Sequence, residues 1–364
     1  MKTPALKTLI AVNMLLLCVN AFAQNNIRYV KAETLTLIGK AKKTDSCFQR
    51  IDSAEAAPMP MAVRSLAKQS AGIAVLFETN STTIRAKWKL SGEVYLSNMT
   101  PIAHSGLDLY CFRNNKWQYV NVGKPAKGID QEQRIIENMD NSTKQFMIYL
   151  PLYNSINDLQ IGVEENAIIK SPAHAAVDTT LRVVVYGSSI VQGASASRPG
   201  MAYPAILQRR TGYDVINLGF SGNAKMEKEL AEYLATVPAD CYVLDCIPNP
   251  SPEEINERSY PFIKLLCGKK PNTPIILVET VFRENGNWDQ KVGQRITRQN
   301  EEIRKTYNRL IKEGVKNIYY IETTKLIGND HEATVDGVHL SDLGFTRIAD
   351  ALLPLIEQAM KKHK

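Results

Sequence analysis

The chain of 364 residues is 44% hydrophobic and 22% charged, with 20 glycines and 17 prolines, which excludes collagen-like, low-complexity and mostly disordered proteins. Its length provides for two domains, each with its own core. The formal charge of +7, to which Lys2 and Lys7 contribute, is too small and too scattered for a nucleic-acid footprint.

The chain opens on an export signal. Lys2 and Lys7 flank a positive start, residues 9–19 are mostly apolar, and Ala21-Phe22-Ala23 places small residues where a signal peptidase reads them. The apolar run is shorter than the roughly 20 residues that cross a bilayer. Three leucines directly before Cys18 do not fit a lipoprotein signal. The expectation is a cleaved leader over residues 1–23, a mature chain from about Gln24 and a secreted or periplasmic protein. No later segment is apolar for long enough to span a membrane.

Residues 24–171 read as β structure. Ile84, Ala86, Trp88 and Leu90 alternate with Arg85, Lys87 and Lys89, the period of a half-buried strand. Residues 107–112, 117–122, 146–150 and 159–163 add short strands, separated by polar turn clusters such as Arg113-Asn114-Asn115-Lys116. Such spacing predicts a two-sheet sandwich of jelly-roll type. Residues 172–180, with Pro172 and several alanines, read as a linker.

From residue 181 the pattern alternates between strand and helix. Strands are expected over 181–186, 215–218, 241–246, 275–278 and 318–321, and helices over 199–210 and 225–234. A further helix carries Ile296, Ile303, Tyr307, Leu310 and Ile311 on one face and stops at Gly314. A last helix bears Leu343, Ile348, Leu352 and Ile356. The fold class is therefore α/β, a five-stranded parallel sheet covered on both faces, with ligands expected beyond the carboxyl ends of the strands. Cys47, Cys111, Cys241, Cys246 and Cys267 are odd in number and irregularly spaced, so they are expected to be free buried thiols.

Polar groups gather at those strand ends. Gly187-Ser188-Ser189 follows the first strand, Ser221-Gly222-Asn223 the second, and Pro248-Asn249-Pro250 the third; Asp336-Gly337-Val338-His339 precedes the last helix. Acyl transfer by serine requires such parts: a nucleophile, a base, a carboxylate to orient it and donors for an oxyanion. The set resembles the SGNH, or GDSL, hydrolases, whose blocks carry Ser, Gly, Asn and Asp-x-x-His in this order. The resemblance runs from residue 181 to the end of the chain and implies a flavodoxin-like, three-layer hydrolase domain. It assigns Ser189 as nucleophile, His339 as base and Asp336 as orienter. The oxyanion donors would be the Ser189 and Gly222 amides and the Asn249 side chain. Two positions depart from the family pattern: Ser188 stands for the usual Asp, and Ile247-Pro248-Asn249-Pro250 for Gly-x-Asn-Asp. The stretches 186–193 and 198–204, with Ser105-Gly106-Leu107-Asp108-Leu109-Tyr110, resemble a secreted subgroup with an N-terminal β-sandwich, several members of which deacetylate polysaccharides.

The function this implies is an exported serine esterase acting on acetylated poly- or oligosaccharides, without metal or organic cofactor. The alternatives are a lipid or thioester hydrolase of the same fold and a glycan-binding protein with an inactive esterase domain. Gly219-Phe220-Ser221-Gly222 lacks the final glycine of a nucleophile elbow, because Asn223 stands there. Phosphate-loop, dinucleotide and zinc-peptidase motifs do not occur. His104 and Asp108 are a further N-terminal pair, expected to be structural at a sandwich edge.

Overall fold

The computed structural model describes residues 26–361, so the expected leader lies outside the described residues. Ten strands form the N-terminal half: β1 (Ile27–Lys31), β2 (Thr36–Ile38), β3 (Ala74–Thr79), β4 (Ile84–Leu90), β5 (Leu107–Arg113), β6 (Lys116–Gly123), β7 (Asp130–Ile136), β8 (Lys144–Tyr149), β9 (Ile156–Glu164) and β10 (Ile169–Lys170). They make two antiparallel sheets, β1-β9-β4-β7 and β10-β3-β8-β5-β6, with β2 added beside β3. The strands read from periodicity are present. Those missed, such as β1 and β7, are short of large apolar residues on a two-residue period.

The inward face of each sheet follows the alternation. Ile84, Ala86, Trp88 and Leu90 meet Val75, Phe77, Leu107, Leu109, Phe146 and Ile148 in one core. The second sheet does not turn its other face to water. Ala74, Leu76, Tyr110, Met147 and Tyr149 form a separate cluster with Ala205 of the C-terminal half. Strand β5 thus sends Leu107 and Leu109 into the sandwich and Asp108 and Tyr110 toward the neighbouring half, as a period of two requires.

Residues 40–68, read from sequence as part of the sandwich, instead carry two short helices, α1 (Ser53–Ala56) and α2 (Met61–Ala67). Their Ile51, Ala56, Met59, Val63 and Ala67 pack in the core of the C-terminal half. The apolar positions 56, 59, 63 and 67 recur at helical spacing, which the surrounding strand pattern hid. A third short helix, α3 (Pro101–Ser105), begins at Thr100, whose side chain accepts from the Ala103 amide.

The C-terminal half is the expected doubly wound sheet. Strands β11 (Asp178–Gly187), β12 (Tyr213–Gly219), β13 (Cys241–Asp245), β14 (Ile275–Val278) and β15 (Ile318–Ile321) are parallel, in the order β12-β11-β13-β14-β15. Strand β11 starts inside the segment read as a linker. One sheet face packs on α5 (Tyr203–Thr211) and α9 (Asp342–Lys361). The other packs on α6 (Lys228–Thr236), α7 (Pro252–Lys269) and α8 (Gln290–Lys312), and on the 40–68 segment. A single-turn helix, α4 (Ser189–Gln192), follows β11 directly. Helix α6 starts three residues later than expected because Ala224 and Met226 have positive φ, which a helix does not admit. Ile311 is 45% exposed and leaves the apolar stripe assigned to α8. Among the described residues the cysteines are free, but only Cys241 and Cys246 are fully buried.

Strand order 2-1-3-4-5 reverses direction between β11 and its neighbours, and the register there is exact enough to place loops side by side. Gly187 pairs with Gly219 on one side and with Asp245 on the other. All three strands end at one level, and that level is the switch point where ligands bind.

Candidate active site

Helix α4 is pressed onto the end of β12. A Cβ added at Gly219 would lie 2.1 Å from the Gln192 amide nitrogen, and one at Gly187 would lie 2.1 Å from the Asp245 carbonyl oxygen. Both glycines permit this approach; neither neighbour is a side chain that could swing aside. Gly219→Ala is accordingly expected to cost about 1–3 kcal/mol by overpacking. A melting curve reads this directly, and an unchanged Tm would contradict the contact.

Ser188 is the N-cap of α4: its side chain accepts from the Ile190 amide at 3.2 Å, and its own amide donates to the Asp245 carbonyl at 3.2 Å. The residue that departs from the family pattern therefore starts the helix. Ser189 occupies the first helical position, where its amide has no intrahelical acceptor. Gly193, with φ 104°, closes the turn.

His339 and Asp336 lie on a tight hairpin between β15 and α9. The Val335 amide donates to the His339 carbonyl at 2.8 Å, and Thr334 bridges Leu340. Gly337, with φ 80°, supplies the left-handed residue at its tip. One carboxylate oxygen of Asp336 accepts from the Val338 and His339 amides at 3.0 and 2.7 Å. The other lies 2.8 Å from His339 Nδ1, and His339 Nε2 lies 3.1 Å from Ser189 Oγ. The Asp-x-x-His spacing thus lets one carboxylate hold both the turn and the ring. Partial burial pushes the Asp336 pKa up, but the backbone and side-chain bonds to His339, its charge and Asn98 outweigh this and bring it to about 2. The His339 and Asp336 side chains are 24% and 34% exposed, so the group opens to solvent.

Asn98, in a turn of the N-terminal half, also reaches this carboxylate. Its amide nitrogen donates to the same Asp336 oxygen at 3.0 Å and sits 3.3 Å from His339 Nδ1. No pattern in the sequence marks Asn98, because it lies in an irregular loop and acts across 238 positions.

Gly222 stands in the loop after β12, within a turn closed by the Asn223 amide donating to the Phe220 carbonyl at 2.9 Å. Its φ of 69° suits glycine, and space beyond its Cα is open to 4 Å. The turn is fixed at both ends. The Ser221 amide donates to Gln192 Oε1 at 3.0 Å, and the Asn223 carbonyl accepts from the Asn249 side-chain amide. That amide nitrogen carries two hydrogens, so one bond to Asn223 leaves a second donor.

The Pro248-Asn249-Pro250 loop is caged through its carbonyls, since its prolines offer no N–H. Gln299 of α8 donates to the Ile247, Pro248 and Pro250 carbonyls at 3.0, 3.3 and 2.6 Å. Arg283 also reaches the Pro248 carbonyl, and Arg295 donates to that of Asn249 at 3.2 Å. Helix α7 then starts at once on the Ser251–Glu254 capping box.

Buried polar residues of the N-terminal half complete the frame. Gln192 donates to Gln69 Oε1 at 2.5 Å and to the Leu152 carbonyl at 3.0 Å. Arg50, 1% exposed, donates to the Gly219 carbonyl at 2.6 Å and the Asn217 carbonyl at 3.3 Å. Asp108 accepts from Arg198 at 2.9 Å and from the Gly200 amide at 2.8 Å. It does not pair with His104, which instead bonds to Ser105 at 2.7 Å. The reason is the alternation in β5, which turns Asp108 to the C-terminal half. Among the described residues, no cluster of His, Cys, Asp and Glu is arranged to hold a metal.

A parallel sheet in this order, with a serine, an imidazole and a carboxylate at its switch point, is a hydrolase architecture. Residues 180–357 match the GDSL-like lipase/acylhydrolase family, and residues 27–169 match GxDLY, the N-terminus of SGNH-hydrolase-type esterases. A GDSL-like lipase from Bacteroides ovatus is 48% identical, with 92% of this chain and 98% of that chain covered and a TM-score of 0.89. The chain belongs to this GDSL-like, SGNH-type esterase family. The salicylyl-acyltransferase SsfX3 of a tetracycline biosynthetic pathway shares the fold at 18% identity, covering 89% and 95% of the chains with a TM-score of 0.71. A family two carbohydrate esterase from Cellvibrio japonicus does so at 11% identity, covering 92% and 98%, with a TM-score of 0.59. No curated protein matches in sequence.

Proposed function

We propose that the protein is an exported serine esterase that removes short acyl groups, acetyl above all, from carbohydrates. The observation that carries the esterase part is the chain Ser189 Oγ, His339 Nε2, His339 Nδ1, Asp336 Oδ2, with links of 3.1 and 2.8 Å. Ser189 Oγ attacks the acyl carbonyl while His339 takes its proton. The ester C–O bond then breaks and His339 returns the proton to the departing sugar oxygen. Water attacks the acyl-serine by the same path, giving the carboxylic acid and restoring the serine hydroxyl. Asp336, ionised at neutral pH, holds Nδ1–H and so leaves Nε2 free to accept.

The oxyanion would meet the Ser189 and Gly222 amides and the second Asn249 hydrogen. The Gly222 amide has no partner among the described residues, which suits a donor kept for substrate. The solvent-open edge at His339 and Asp336 leaves room for a bulky polar alcohol part. Carbohydrate esterases are known on this fold, one of them from Clostridium thermocellum in complex with cellohexaose. Export rests on the Lys2-to-Ala23 pattern. Among the described residues, no helix is long and apolar enough to cross a membrane.

A fluorophosphonate probe is expected to label the wild type and not Ser189→Ala. Equal labelling of both proteins, or of neither, would remove Ser189 as nucleophile. Acetate release from acetylated saccharides, measured beside p-nitrophenyl esters of rising chain length, separates the carbohydrate reading from that of a lipid hydrolase.

A further inference from the structure

The segment that delivers Asn98 to the triad also walls a cavity of about 390 Å³, lined among others by Glu93, Tyr95, His104, Ser105 and Lys127. We propose that this cavity is a subsite for the sugar part of the ester, with His104 as a hydrogen-bonding group in its lining and Tyr95 as a stacking face. The inference rests on the esterase reading above.

Position is the first support. Tyr95 and Asn98 are three residues apart, so their Cα atoms are separated by no more than about 11 Å. Asn98 touches Asp336, and Thr100 Oγ1 donates to the Ser197 carbonyl at 2.6 Å, which ties the same stretch to the C-terminal half.

His104 is the second support. It is 6% exposed, yet it lines the cavity. Ser105 Oγ accepts from the Asn154 side-chain amide at 3.2 Å and shares a hydrogen bond with His104 Nδ1 at 2.7 Å, which fixes the ring. In the neutral ring Nε2 either donates or accepts, and a sugar hydroxyl matches both. Burial lowers the His104 pKa and keeps the ring neutral. Nε2 has no protein partner among the described residues. A fixed, neutral hydrogen-bonding group therefore lines the cavity without a protein partner at Nε2, and a sugar hydroxyl would supply one.

Tyr95 is the third. A side chain of this size at 87% exposure leaves its ring in water. Aromatic rings with a polar tip serve at wet interfaces, where one face covers apolar C–H groups. The charges nearby do not form an anion cradle. Glu93 accepts from the Gly128 amide at 2.6 Å at one edge, with Lys127 beside it. The set suits an uncharged, hydroxyl-rich ligand.

The test compares substrates with and without a sugar. Tyr95→Ala is expected to lower kcat/KM on O-acetylated xylo-, gluco- or manno-oligosaccharides about tenfold more than on p-nitrophenyl acetate, chiefly through KM. His104→Phe, which removes the ring nitrogens, is expected to do the same. Tyr95 is exposed, so its variant remains informative if His104→Phe does not fold. An equal effect on sugar and non-sugar esters across the whole panel overturns the subsite. Should the wild type hydrolyse no ester, the esterase reading fails. The subsite is then decided by calorimetry with the unacetylated oligosaccharides: binding weakened by Tyr95→Ala sustains it, and no binding overturns it.

Discussion

Ser189→Ala and His339→Ala are each expected to lower kcat by roughly 10⁴- to 10⁶-fold, and the double variant to be scarcely worse than either. The reason is mechanical. In the proposed mechanism Ser189 is a weak nucleophile unless His339 takes its proton, so each removal would disable the same step. Neither side chain is a major part of a core, and melting temperatures should stay near that of the wild type. Losses that multiply in the double variant would show two independent contributions and argue against one coupled site. Asp336 titrates near pH 2, so it stays ionised through the working range. The acid limb of kcat/KM is then not set by Asp336. Asp336→Asn is also expected to be severe, because an amide does not enforce the Nδ1–H tautomer.

Asn249→Ala is expected to lower kcat by about 100- to 1,000-fold, some 3–4 kcal/mol, with little change in KM. Two losses coincide there. The oxyanion loses one donor, and the Asn223 carbonyl loses the bond that anchors the Gly222 turn. Asn249→Asp should be at least as damaging. A carboxylate would face the Asn223 carbonyl, acceptor against acceptor, and place negative charge beside the forming oxyanion. Steady-state kinetics on a soluble acetyl ester, beside melting curves, decide the matter. A fall in Tm with kcat preserved would leave Asn249 only a loop-shaping role.

Much of this was legible before any coordinates. The period-two run at Ile84 to Leu90 and the apolar strands of the second half named both layers of the fold. The order of Ser189, Gly222, Asn249 and the Asp336–His339 pair named a candidate site. What stayed hidden depends on contacts between distant segments. Gln192 and Gln299 read as ordinary polar residues, yet each satisfies several backbone groups in a buried place. Arg50 reads as a surface charge, and burial holds its pKa down at about 9 while its guanidinium donates to carbonyl oxygens and lies over the Phe220 ring. The helices of residues 40–68 were masked by the strands on either side. Sequence proximity pairs Asp108 with His104, whereas strand alternation turns it to Arg198 and the Gly200 amide.

The second sheet of the sandwich is apolar on both faces, and this limits how the gene could have been assembled. A sheet with one wet face can be traded between proteins as a self-sufficient cassette. Here a cut at residue 171 would bare Leu76, Met147 and Tyr149 on one fragment. The other fragment would lose Arg50 from the Gly219 carbonyl, Gln69 from Gln192 and Asn98 from Asp336. At about 1.5–3 kcal/mol for each large side chain returned to water, the exposed face alone rivals the whole stability of a small domain. Neither half is therefore self-sufficient, and the N-terminal half holds the strand ends around Ser189 as firmly as the sheet itself does.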